Sequence, residues 1–189
     1  MSNRLAVIIV LVAGLLFVGS NSIYILNEME RGVLLRVGAV VNSDISTGIH
    51  LKLPFIEEVR AFDGRVLTVD APAERFLTLE KKALIVDSFA KFRIKKVEKY
   101  YTATSGDQRR AEELLKQRIN NGLRNEISKR TLHEVVSGQR DELMIDLVAS
   151  LNEVANQELG VEVVDVRVKR IDLPQEVSQS VYNRMNTER

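Results

Sequence analysis

The first part of the chain carries its apolar residues in one unbroken block. From Leu5 to Leu26 the sequence reads LAVIIVLVAGLLFVGSNSIYIL, without a charge. With Asn27 included, this run predicts a helix about 34 Å long at ~1.5 Å per residue. The hydrocarbon core of a bilayer is ~30 Å thick, so residues 5–27 are expected to form a transmembrane anchor. A helix there satisfies its own backbone hydrogen bonds, as lipid demands. Leu5, Ile9, Leu16 and Phe17 are its candidate lipid-facing residues. Tyr24 and Leu26 close it near the far interface, where aromatic residues are favoured. The densest apolar part, Leu5 to Gly19, is shorter than the ~20 residues a span usually needs. The expected span therefore draws in Gly19–Ser22 and Ile23–Leu26. Two other readings stay open. One is a cleavable signal peptide, with Val18-Gly19-Ser20 as the cleavage site. The other is a buried helix, since a helix apolar all round avoids water.

Beyond the anchor the pattern shortens. Glu30–Val37 predicts a first strand, ending at Gly38. Asn42-Ser43-Asp44 predicts a turn. His50–Leu53 alternates and stops at Pro54. Val59–Phe62 and Val66–Val69 flank Asp63-Gly64, a turn dipeptide that predicts a hairpin. Glu74–Leu79 predicts another strand. In Leu84–Ile94, residues Leu84, Val86, Ala90, Phe92 and Ile94 share one face, and Asp87, Lys91 and Arg93 take the other. Residues 28–94 thus read as a β-rich subdomain.

From residue 95 the period becomes helical. Val97–Tyr101 predicts one or two turns, and Ser105 or Asp107 caps the next helix. Ala111, Leu115, Ile119, Leu123 and Ile127 recur every fourth residue as an apolar stripe. Thr131–Ser137 is a short segment. A further helix is expected over 139–159, with Met144, Leu147, Val148, Leu151 and Ala155 on one face and Gly160 after its end. In Val161–Leu173, Val164, Val166 and Val168 are expected to face the core. Residues 95–173 read as an α/β subdomain, so the fold class is α+β. Pro174 suits the first turn of a final helix over 174–189. Val177, Val181 and Met185 recur there at fourfold spacing, the best candidate for a subunit contact.

Composition narrows the function. The chain has 189 residues, 27 Lys+Arg against 26 Asp+Glu, and a net charge of +1. That balance argues against nucleic acid, which needs a basic excess. Aromatic residues are 5%, too few for a base-stacking platform. Arg4 and the amino terminus precede the anchor, while Glu28 and Glu30 follow it. Positive charge favours the cytoplasmic side, so residues 1–4 are expected inside and the rest outside, in a bacterium the periplasm. The absence of cysteine fits any compartment.

No catalytic constellation emerges. His133-Glu134-Val135-Val136-Ser137 begins like the zinc-protease motif H-E-x-x-H, but position 137 is serine. That chemistry needs two histidines one turn apart, and the other histidine, His50, is in an expected strand. There is no thiol nucleophile and no G-x-S-x-G. A Ser-Lys dyad stays open without a nominated pair. No metal, cofactor, catalytic residue or small-molecule substrate is expected. Lys81-Lys82 and Lys95-Lys96 read as solvated strand ends or as headgroup contacts.

The order of pieces resembles a known family. The anchor, ERGVLLRVG, TGIHLKLPF, a strand ending KFRI, LRNEISKRTLHEVVSGQRDEL and LGVEVVDVRVKRIDLP together resemble the SPFH (band 7; stomatin/prohibitin/flotillin) proteins. The resemblance covers essentially the whole chain. Single pieces are weak; their order and spacing are specific. Thr47 departs from the proline usual before the glycine, which alters loop stiffness. Such proteins continue into a long helical assembly region, so this chain is expected to be a fragment or a truncated product. The resemblance implies a non-catalytic subunit in the bacterial inner membrane. It would pair with an HflK-like paralogue and regulate an FtsH-like membrane protease. The rivals are a membrane-bound hydrolase and a secreted binding protein.

Overall fold

A computed structural model describes residues 3–43, 45–136 and 140–173. The side chains of residues 3–6, 10, 140 and 141 are outside that description, as is the whole of 174–189 with Val177, Val181 and Met185. The chain divides into two compact units. The first comprises residues 1–65 with 96–98, and the second 66–95 with 99–189.

The first unit opens with helix α1 (Asn3–Asn21). Its end is chemical. The Ser20 hydroxyl and the Asn21 amide donate to the Phe17 carbonyl, and the Ser22 hydroxyl donates to that of Val18. These bonds compete with continued helix. Ile23–Leu26, expected as the last turn of the anchor, is instead strand β1. Its branched side chains suit a pleated ribbon better than a helix end. β1 pairs antiparallel with β4 (Gly48–Leu51) in a two-stranded ribbon. A separate three-stranded sheet has the order β3-β2-β5, from β2 (Glu30–Arg36), β3 (Ala39–Asn42) and β5 (Glu57–Asp63). Val33 and Leu35 of β2 are buried, as is Leu26 of β1.

The hairpin expected around Asp63-Gly64 does not form. β5 pairs with β2, and β6 (Leu67–Leu77) pairs with β7 (Ala83–Ile94). Asp63 accepts from the Arg65 backbone and guanidinium, and Gly64 N–H donates to the Met29 carbonyl, so the dipeptide ends one sheet without folding back. Arg65 holds the Asp63 carboxyl down at about 2.

The second unit is a sheet of order β6-β7-β8 covered by helices. β8 is Val161–Asp172. β6 fuses two expected strands and carries a register shift between Ala71 and Glu74, spanning Pro72, which has no N–H to give a ladder. The helices are α2 (Val97–Thr104), α3 (Gln108–Ser128), α4 (Leu132–Val136) and α5 (Arg140–Glu158). Asp107 caps α3 by accepting from Arg109 N–H, a contact worth ~1 kcal/mol. The stripe Ala111, Leu115, Ile119, Leu123 and Ile127 is buried throughout. In α5 the buried seam is Leu143, Leu147, Leu151 and Ala155; Met144 and Val148 sit at its margin. Gly122 lets the helices close up, since a Cβ there would lie 2.7 Å from Leu147 Cδ1.

The second compact unit begins at Val66. β6 and β7 join the second unit because β7 is zipped to β8 along nearly its full length, from Ile85↔Asp172 to Ile94↔Val161. A register shift next to Phe92 also turns Val164 outward, so Val163, Val166 and Val168 face the core. Asn152 pins the bulge from α5, its side-chain amide donating to the Val163 carbonyl and accepting from its N–H, both at 2.7 Å.

Candidate functional site

The first unit places its aliphatic residues on the outside. In the β1–β4 ribbon the register sets Ile23 opposite Leu51 and Ile25 opposite Ile49. These four occupy one face, because side chains two apart along a strand point the same way. All are more than half exposed, from 53% for Ile23 to 77% for Leu51. The other face is tied together. Tyr24 stacks on His50 at 5.4 Å, and His50 Nε2 lies 2.6 Å from the Ser46 carbonyl.

Two turns of the first unit also expose apolar side chains. Val37 turns the chain between β2 and β3, and Phe55 turns it between β4 and β5. Both hold positive φ, 51° and 70°. Such a backbone is unusual for any residue with a Cβ and an outlier for a β-branched one. Their side chains are 88% and 85% exposed. Val37 N–H donates to the Ile56 carbonyl, which joins the two turns. Beneath them, Glu57 is a latch. Its carboxylate accepts from Leu53 N–H at 2.8 Å and from Arg36 Nη2 at 2.7 Å, and its side chain is only 6% exposed. The Leu53 amide first, then the Arg36 guanidinium, hold the carboxyl below its ordinary value. Positive-φ turns that present apolar side chains to solvent cost stability in water.

Helix α1 leads into this surface. Among its described side chains, Val7, Ile8, Ile9, Leu11, Leu15, Leu16 and Phe17 are all more than half exposed. Among the described residues, no helix is long and apolar enough to cross a membrane. Of the expected anchor residues, Ile9, Leu16 and Phe17 lie on α1. Tyr24 and Leu26 lie in β1, and Leu26 is buried.

The zinc-like motif has a different job. Thr131 N–H donates to the Glu134 carboxylate at 2.7 Å, and the Thr131 hydroxyl receives Glu134 N–H. This is a reciprocal cap on α4, legible as T-x-x-E in the sequence but masked by the H-E reading. The cap, Thr131 N–H first, lowers the Glu134 pKa. Ser137 is outside the described residues, and among those described no group of His, Asp and Glu is placed to hold a metal. Lys82 pairs with Glu80, and Lys95 with Glu162, so each basic dipeptide gives one of its charges to a neighbouring carboxylate. The sequence reading missed the ribbon face and the two tips. Alternation in Ile23–Leu26 was available as a signal, but the adjoining apolar block overrode it.

Comparison with known proteins gives this architecture relatives. Protein HflC of Buchnera aphidicola subsp. Schizaphis graminum is 40% identical over 97% of this chain and 66% of its own length. Protein HflC of Haemophilus influenzae is 42% identical over 89% of this chain and 60% of its own. "Modulator of FtsH protease HflC" of Escherichia coli K12 is 36% identical over the whole chain and 69% of its own. The chain thus spans about three-fifths to two-thirds of the length of the curated relatives it matches. Residues 24–189 match the SPFH domain / Band 7 family, and the chain belongs to that family.

Proposed function

We propose that this chain is a membrane-anchored, non-catalytic regulatory subunit that modulates an FtsH-like membrane protease together with an HflK-like paralogue. The observation that carries the membrane part is the exposed aliphatic face Ile23, Ile25, Ile49 and Leu51 at the foot of α1. Each such side chain gains about 2 kcal/mol on leaving water. In this reading the uncharged run from Leu5 to Asn21 crosses or enters the bilayer, and the ribbon and the tips Val37 and Phe55 lie in its interface. The ribbon makes good the shortness of the helix. Arg4 keeps the amino terminus cytoplasmic and the units periplasmic. The protease part is supported by the name of the Escherichia coli relative, and the paralogue by the family resemblance. Residues 174–189, with Val177, Val181 and Met185, begin an assembly helix.

The test uses the absence of native cysteine. Single variants Ile49→Cys, Phe55→Cys and Lys91→Cys, each carrying bimane, are reconstituted in vesicles with brominated lipid. Quenching at 49 and 55 but not at 91 is expected; equal quenching at all three overturns the membrane reading. Affinity capture from solubilised membranes is expected to recover an FtsH-like protease and a second SPFH protein. Proteolysis by the purified chain, lost in His133→Ala, overturns the non-catalytic role.

A further inference from the structure

The described part of the second unit ends beside an open apolar groove of about 440 Å³. Leu84, Leu132, Val136, Ile171 and Leu173 form its apolar lining, with His133 and Asp172 at its polar edge. α4 forms one wall and the end of β8 the other. Val136 is 59% exposed and Leu173 42%, so the described residues leave the groove uncovered.

We propose that this groove seats the chain's own continuation, with Val177 in it and Val181 beside it. Three observations point to that occupant. Leu173 is both a wall of the groove and the residue from which 174–189 departs. Pro174 favours a helix starting there, and a helix reaches Val177 within ~6 Å of rise. Val177, Val181 and Met185 are spaced to form one stripe, matching the one-turn spacing of Leu132 and Val136 in the α4 wall. The inference rests on reading 174–189 as a helix and adds that its first turns are fastened in cis. The groove then sets the direction in which the assembly helix leaves the second unit, and Met185 remains for contacts between subunits.

Cysteine pairs test this in the full chain, which has no cysteine of its own. Val136→Cys with Val177→Cys is oxidised in detergent and compared with Ile145→Cys with Val177→Cys. Ile145 is 67% exposed and does not line the groove. Val136 is exposed, so the cysteine there leaves the fold intact. The expected result is an intramolecular disulfide forming at least tenfold faster in the 136/177 pair. Equal rates in the two pairs overturn the proposal. Disulfide-linked dimers in place of the intramolecular product also overturn it and make a second copy the occupant. Sedimentation of the same samples reads assembly separately. A fast 136/177 bond in a chain that by itself sediments as a large particle sinks the assembly role of 174–189 and leaves the groove's occupant standing.

Discussion

The two units use the same aliphatic residues in opposite ways. The second unit has a sheet with one face under α3 and α5, and Leu115, Ile119, Leu123, Leu147 and Val166 are all at most 1% exposed. The first unit has a ribbon and a small sheet, and it turns Ile25, Ile49, Leu51, Val37 and Phe55 outward. The second unit is stabilised by its own interior. The first carries apolar surface that water penalises, as expected for protein that works against a non-aqueous neighbour. The latch makes the same point, since the covered Glu57 carboxylate holds the apolar turns through Leu53 N–H and the half-exposed Arg36.

The sharpest way to break this comparison is to truncate one aliphatic residue in each unit. Leu147→Ala is expected to destabilise the second unit by about 2–5 kcal/mol, because a fully buried leucine leaves a cavity. Ile49→Ala is expected to stay within about 0.5 kcal/mol in detergent. Urea unfolding of both variants in micelles decides it, and equal losses would erase the distinction. Next in size is the effect of Ile25→Asp with Ile49→Asp. Quenching of bimane at Leu51→Cys by brominated lipid is expected to fall severalfold, with the unfolding midpoint of the second unit unchanged.

A smaller effect sharpens the picture of the second unit. Gly122→Ala places a methyl group 2.7 Å from Leu147 Cδ1 and 3.3 Å from Leu151 Cδ2. Overpacking of this kind costs about 1–3 kcal/mol, and the thermal midpoint is expected to fall. The smallest effect is at Glu162, which bonds Lys95 and Arg93 where β7 meets β8. Those donors, Lys95 first, hold its carboxyl below the ordinary 4.5. A carboxyl with a lowered folded value stabilises fully above the ordinary range and loses that contribution as pH falls through the lowered value. Glu162→Gln is therefore expected to flatten the stability profile below about pH 4.5, by no more than about 1 kcal/mol. An unchanged acid limb would remove the bridge from the account.

Local pattern carried much of the second unit. The fourfold stripe of α3 is the buried face, the alternation in β7 sorts Leu84, Val86, Ala90, Phe92 and Ile94 inward, and Asp107 is the cap. These features depend on residues within a turn or two of one another, where period and capping chemistry act directly. The order of motifs also sufficed to identify the family.

What needed the tertiary structure was every decision about distant partners. Ile23–Leu26 could extend the apolar helix or pair as a strand, and Gly48–Leu51 decided it by supplying the matching edge. Asp63-Gly64 could fold a hairpin, but β2 and β7 took the two flanking strands. Val164 lost its inward place to a one-residue shift against β7. The physical reason is common to all three. A side chain's local preference fixes how it can point, while the strand that completes its hydrogen bonds fixes where it goes.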